Sequence, residues 1–252
     1  MSTKSWKATR RRVESIAAAG FCALCAITCF VALFRTRSSF IDGRRVVSHL
    51  QDYPYVYSSR INLEYYDPTT DVPGIQSLQT IEESADVIAT ASFSGVREPG
   101  QFAVISTLTI LDSFKGHASP GDQIRLIEPI RIEQTADDAS GETCTLYADG
   151  NYANGFLPLE NGRSYLMFLQ IVKPPTIEGM SQRQTPTYAI FNSPYSRLLI
   201  QGDVQVASPE GDDRTLRLRE LAGMNVMIAA PGAEQLYSRT VEDIFARYHI
   251  AV

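Results

Sequence analysis

The chain has 252 residues, 44% hydrophobic and 20% charged, so it can bury one sizeable core, and its composition gives no sign of a second domain of similar size. Its net charge of −5 is unevenly divided, because residues 1–45 carry nine of the 23 lysines and arginines but only two acidic residues. The other 207 residues are strongly acidic. Because nucleic acid phosphates attract the opposite sign, we expect no nucleic acid partner.

Residues 15–34 are predicted to form one transmembrane helix. The uncharged run within it has 19 residues, and at ~1.5 Å per residue its helix nearly matches the ~30 Å hydrocarbon core of a bilayer. The basic segment 1–14 precedes it, which predicts a cytoplasmic amino terminus and an extracytoplasmic carboxyl-terminal domain. The alternative is a reversed topology with a cytosolic domain. Leu33-Phe34-Arg35 lacks the small residues of a signal peptidase site, which favours an uncleaved signal anchor in the cell membrane.

Cysteine usage argues against disulfides and metal ligation. Cys22, Cys25 and Cys29 lie in the predicted membrane helix, so Cys144 is alone in the rest of the chain and no disulfide can form within the domain. Thiolates are costly in lipid and no histidine lies nearby, so the three clustered cysteines are interpreted as small helix-packing residues. We predict no metal site and no cofactor.

Residues 35–73 are predicted to be an extended, tyrosine-rich stalk. Tyr53, Tyr55 and Tyr57 alternate along it, and alternation places them on one face of an extended segment. They are candidate binding residues that could dock on a partner or on the membrane interface. The favoured alternative is that they pack against the outside of the following domain.

Residues 74–252 are predicted to form a β-barrel domain that begins with a short helix within residues 74–85. Three strands follow between Asp86 and Ile127, and their apolar residues recur with the period of two that strands require. The breaks at residues 95–100 and 116–121 are too short for a crossover helix, so the strands are predicted to be antiparallel.

The second half of the domain mixes strands with polar connections. Residues 128–142 are polar and are predicted to be a surface loop, in which Asp137 and Asp138 are candidate binding residues. A short strand is predicted at 143–148, and the apolar run ending at Ile171 predicts a strand buried on both faces. The remaining predictions are a strand at 187–192, a hairpin at 198–206 and a last helix capped by Thr240.

Four short motifs carry a family resemblance. They are Ser84-Ala-Asp-Val-Ile-Ala-Thr, Leu111-Asp-Ser-Phe-Lys-Gly116, Gly121-Asp-Gln-Ile-Arg and Pro158-Leu-Glu-Asn-Gly-Arg-Ser-Tyr-Leu-Met-Phe-Leu169. In this order they resemble bacterial surface domains related to the netrin and TIMP modules, over roughly residues 75–206. The resemblance implies an all-β fold, an antiparallel five-stranded OB-like barrel with a few flanking helices. The amino-terminal cysteine on which metalloprotease inhibition depends has no counterpart here, so that activity is not carried over.

Two functions from different classes fit these features. The first is a non-catalytic module that binds a protein or another envelope component through loops such as 128–142 and 172–187. The alternative is a sortase-like thiol transpeptidase in which Cys144 acts with His117 and Arg163. Only 27 positions separate the histidine from the cysteine, which is short for that family, so the sequence favours the binding module.

Overall fold

The computed structural model describes residues 43–56, 76–100, 103–137, 141–148, 156–173, 185–201, 203–207, 215–227 and 233–251. The helices are α1 (Gly43–Ser48), α2 (Leu78–Ser84) and α3 (Ala233–Arg247), with 3-10 turns at Leu50–Asp52 and Leu218–Leu221. The strands are β1 (Pro54–Val56), β2 (Val87–Pro99), β3 (Val104–Lys115), β4 (Gln123–Glu128), β5 (Ile130–Asp137), β6 (Gly141–Ala148), β7 (Ser164–Ile171), β8 (Thr187–Ile190), β9 (Arg197–Leu199), β10 (Val206–Ala207), β11 (Thr215–Arg217) and β12 (Val226–Met227).

The predicted membrane segment 15–34 and the basic segment 1–14 lie outside these ranges. Within them, no helix combines the length and the apolar character needed to cross a bilayer.

Five strands close into a barrel in the order β2-β3-β4-β8-β7, and β7 returns to pair with β2. Four of the five contacts are antiparallel, whereas β4 and β8 run parallel. The predicted barrel is therefore confirmed, but the prediction that it is wholly antiparallel was wrong. Strand directions cannot alternate around a closed ring with an odd number of members, so at least one neighbouring pair must be parallel.

β2 is the strand that closes the barrel. It has 13 residues, and its register against β3 shifts at three places, including the interval between Phe93 and Arg97. Such irregularities bend a strand and increase its twist. β2 can therefore follow β3 along its length while its first half, Val87 to Ser92, pairs with β7.

The first half of β2 and residues 165–169 of β7 are buried on both faces, as predicted for β7. Ala89 and Met167 lie opposite each other, and both are fully buried. On the outer face, Ile88, Leu166 and Phe168 belong to one apolar cluster with residues of α2 and α3. Because strand neighbours point to opposite faces, a strand between a barrel interior and a helical layer loses its polar alternation.

A second sheet has the strand order β11-β1-β6-β5. The prediction of a surface loop at 128–142 was wrong, because β5 and β6 form a regular antiparallel hairpin from Ile130–Ala148 to Asp137–Gly141. The strand predicted at 143–148 is confirmed as part of β6. β1 pairs with β6 and with β11, so residues 54–56 of the predicted stalk form a sheet strand. Val46 and Val47 of α1, also within the predicted stalk, are buried.

The carboxyl-terminal part differs from the prediction in two places. α3 begins at Ala233 rather than after Thr240, whose hydroxyl donates to the Leu236 carbonyl at 2.9 Å inside the helix. No hairpin forms in the described part of 198–206. Asn225 bonds the backbone there instead: its Nδ2 donates to Leu199 O and its Oδ1 accepts from Gln205 N. β10 pairs instead with β12, in parallel.

Candidate functional site

A cleft of about 570 Å³ lies where four stretches of chain meet. They are residues 47–52, the β2 positions Gly95 and Arg97, residues 157–161 and residues 218–222. Clefts that bind small molecules or side chains typically measure about 300–1,000 Å³. The cleft is therefore a candidate binding site of the described domain.

The floor of the cleft is apolar and its rim is polar. Leucines from three of the four stretches, Leu50, Leu157, Leu159 and Leu221, are buried beneath it. The rim carries both signs of charge, two side-chain amides and a hydroxyl, contributed by Ser48, Gln51, Asp52, Glu160, Asn161 and Arg219. This arrangement suits a ligand that inserts an apolar group and leaves its polar atoms at the surface.

A buried ion pair supports the floor. Arg97 Nε donates to Glu128 Oε1 at 2.9 Å, and the Glu128 side chain is fully buried. Ser106 Oγ donates to the same carboxylate oxygen, while the Leu159 amide donates to Oε2 at 2.8 Å. Arg97 Nη2 donates to the Leu159 carbonyl, and the guanidinium lies 4.4 Å from the Phe93 ring centre. Both backbone groups of Leu159 are thus tied to one ion pair.

Both oxygens of the Glu128 carboxylate are hydrogen-bonded. Three hydrogen bonds reach its two oxygens, and the side chain has no contact with solvent. A general base must reach the proton that it abstracts, and this carboxylate has no open path to a ligand. The network therefore holds the cleft in shape.

The far wall of the cleft is held by Glu160. Its Oε1 accepts from the Gly223 amide at 2.6 Å, and its own amide donates to the Tyr165 hydroxyl at 2.7 Å. Gln201 Nε2 donates to the Gly223 carbonyl at 2.6 Å. These bonds fix the turn at 218–223 against the segment that follows residue 156.

The candidate tyrosines have different environments. Tyr55 is fully buried, and its hydroxyl donates to the Phe156 carbonyl at 2.7 Å. Burial raises its pKa well above the usual range, Arg197 opposes the shift and Glu128 adds to it. Tyr53 is half-buried, and Tyr57 lies outside the described residues. Tyr55 therefore anchors residues 54–56 to the segment before β7 and is not accessible to a partner.

None of the other candidate residues is among the described residues that line the cleft. Asp137 ends β5 at the tip of the hairpin, and Asp138 lies outside the described residues. Cys144 is in β6, which follows the chain's departure from the barrel at Glu128. His117 follows the opposite end of β3, since Glu128 pairs with Val104 at the start of that strand. The chain that leads to Cys144 and the turn that carries His117 therefore lie at opposite ends of β3.

Sequence reasoning missed Arg97, Ser106 and Glu128. The sequence could have indicated two of them. Glu128 is two and four positions from the inward residues Leu126 and Ile124 of β4, so its side chain points to the same face. Ser106 likewise alternates in phase with Val104 and with Leu108, Ile110 of β3. A polar residue in phase with an inward apolar series indicates a buried hydrogen-bond network.

Comparison with known proteins gives no family assignment. No protein-family model matches the chain, and no curated protein matches it either. The candidate site rests on the geometry of the cleft and its supporting ion pair.

Proposed function

We propose that this protein is a single-pass membrane protein whose extracytoplasmic OB-like domain is a non-catalytic binding module at the cell envelope. The fold assignment is supported by the closed barrel of five strands, the number found in the OB group. The netrin/TIMP-like grouping is supported by the four sequence motifs. The membrane location is supported by the apolar segment 15–34 and the basic residues before it.

The cleft is the observation that carries the binding role. It has a buried apolar floor, a rim with both charge signs and a backbone fixed by the Arg97–Glu128 pair. A pre-organised cleft loses less conformational entropy when it binds than a mobile one. The proposed partner is a segment of an envelope protein that places one large apolar side chain over Leu50 and Leu221.

Site-specific photo-crosslinking in cells tests this proposal. A photoreactive amino acid at Gln51 or Arg219 on the rim is expected to give an adduct with one defined protein. The matched control is the exposed His117, at the turn after β3, which is expected to give no such adduct. Equal labelling from all three positions would reject the cleft as the binding site.

A variant that fills the cleft provides a second test of the proposal. Ala222→Trp introduces an indole at an exposed position of the cleft wall and is expected to abolish the Gln51 adduct. Ala246→Trp, at an exposed position of α3, should leave the adduct unchanged. Protease treatment of intact cells tests the topology separately, and protection of the region after Ser38 would contradict an extracytoplasmic domain.

A further inference from the structure

The interior of the described domain holds two arginines but only one acidic residue. Among the described residues the only fully or nearly fully buried charged side chains are those of Glu128 and Arg197, and Arg97, which pairs with Glu128, is 10% exposed. Glu128 is already paired with Arg97. Arg197 is 5% exposed and has no ion pair in the described part of the chain.

The neighbours of Arg197 compensate its charge incompletely. Its Nη2 donates to the Asn225 carbonyl at 2.9 Å. Its guanidinium carbon lies 5.2 Å from the ring centre of Phe156 and 5.1 Å from that of Tyr165. Carbonyl and ring contacts stabilise a cation but carry no net negative charge. A buried cation without an anionic partner is costly.

A small cavity of about 10 Å³ opens against Arg197. A space of about this size accommodates a single water-sized guest. Ser193, Ser196 and Asn225 also line it, and no acidic residue does so in the described structure. The cavity therefore combines an unpaired guanidinium with neutral polar groups.

The cavity can supply donors besides the guanidinium. Ser193 Oγ accepts from the Tyr195 amide at 3.4 Å, which leaves its hydroxyl hydrogen to donate. Asn225 Nδ2 donates one hydrogen to the Leu199 carbonyl at 3.2 Å, and the amide has a second hydrogen. Several donors around one positive charge match a monatomic anion better than a water molecule, which would leave the charge uncompensated.

We propose that this cavity binds a small monovalent anion of the halide class, with chloride as the physiological ligand and Arg197 as its principal contact. Polyatomic anions such as sulfate are too large for the space. The site is separate from the cleft, and the proposal does not depend on the binding function proposed above.

Thermal unfolding of the full-length chain in detergent tests the proposal. Sodium chloride and sodium gluconate are compared at equal ionic strength, and bromide replaces chloride in a third series. Chloride and bromide are expected to raise Tm with a saturable onset, by about 3–5 °C per tenfold increase in concentration above the dissociation constant. Equal Tm values in all three salts would overturn the proposal and leave a water-filled cavity.

Three variants locate the effect. Arg197→Gln is expected to abolish the difference between chloride and gluconate, whereas the exposed Arg163→Gln should keep it in full. Ser193→Ala removes one donor and should weaken the apparent chloride affinity about threefold to tenfold. If Arg163→Gln lost the effect as completely as Arg197→Gln, the site would not be at Arg197.

A measurement on the unmodified protein decides the matter if Arg197→Gln does not fold. Crystals soaked in bromide are expected to show an anomalous scattering peak beside the Arg197 guanidinium. In solution, the protein is expected to broaden the chlorine-35 resonance of chloride in a saturable way, and bromide is expected to reverse the broadening. An anomalous map without a peak in the cavity would reject the site.

Discussion

Glu128 and Arg97 join the end of one barrel strand to the bent part of another, with Glu128 Oε1 2.9 Å from Arg97 Nε. The pair also binds the amide and carbonyl of Leu159, which lies in the cleft floor. One buried ion pair therefore connects the closure of the barrel with the shape of the candidate site.

Glu128→Ala is expected to lower the free energy of unfolding by about 3–5 kcal/mol, because it leaves the Arg97 charge largely buried without a partner. Glu98→Ala is the matched control, since Glu98 pairs with Arg125 at 3.0 Å but the two side chains are 63% and 32% exposed. Glu98→Ala should lower the free energy of unfolding by only about 0.2–1 kcal/mol. Urea unfolding followed by circular dichroism measures both, and similar losses would contradict a structural role for the buried pair.

Tyr55→Phe tests how residues 54–56 are held on the barrel. The change deletes only the hydroxyl that donates to the Phe156 carbonyl at 2.7 Å, in a site with no exposure. An interior carbonyl without a donor costs about 1–3 kcal/mol, and we expect a stability loss of that size in urea unfolding. Tyr53→Phe, at a half-buried position, should stay within about 0.5 kcal/mol. Equal effects would mean that the buried bond contributes nothing.

Gly116→Ala and Gly121→Ala separate backbone strain from steric overlap. Both glycines have positive φ, 93° and 91°, which costs a residue with a side chain about 1–2 kcal/mol. A Cβ at Gly116 would lie 2.1 Å from the Asp86 carbonyl oxygen, whereas nothing lies within 4 Å of one at Gly121. Gly116→Ala should therefore cost about 1–3 kcal/mol more. Equal melting temperatures for the two variants would show that the overlap at Gly116 is relieved without cost.

Stability is expected to fall at high pH because tyrosines are buried. Burial raises the pKa of Tyr195 to about 12, and it also raises the pKa values of Tyr55 and Tyr237. In the unfolded chain these phenols ionise near pH 10, so above that pH the folded protein binds more protons than the unfolded chain. The contribution of these tyrosines to the free energy of unfolding is complete below about pH 10. It is lost as the pH rises towards 12 and beyond, by about 1.4 kcal/mol per pH unit for each tyrosine.

Tm recorded by circular dichroism between pH 10 and 12 measures this loss of stability. The ultraviolet absorbance of tyrosinate reports ionisation of the tyrosines in the folded state. Tyr195→Phe should flatten the decline. Complete ionisation of the folded protein near pH 10 would contradict the burial-based explanation.

The period of two predicted much of the barrel because inward and outward positions of its strands differ in polarity. It located β2, β3 and β4, and it identified β7 as a strand buried on both faces. It could not show the order in which the strands pair, because β4 meets β8 across about 60 residues of chain and that contact depends on closure of the whole ring.

The hydrogen-bond network of Arg97, Ser106 and Glu128 was harder to predict, because each of these residues taken alone is of a type that is common on protein surfaces. Glu128 begins a polar stretch, and its partners Arg97 and Leu159 are each 31 positions away. Only the fold shows that one carboxylate meets donors from β2, β3 and the segment before β7. Residues 130–137 were predicted wrongly for a related reason, since the largely polar sequence of β5 lacks the apolar alternation of a barrel strand.

The closing contact between β2 and β7 has a consequence for biosynthesis. Val87 pairs with Leu169, about 80 positions later, and the entire β5–β6 hairpin is translated between them. Until β7 leaves the ribosome, the nascent chain has one flank of β2 unpaired beside fully apolar side chains such as Phe93. Chaperones that protect exposed strand edges are therefore expected to engage this protein during translation, and to release it once β7 has been made.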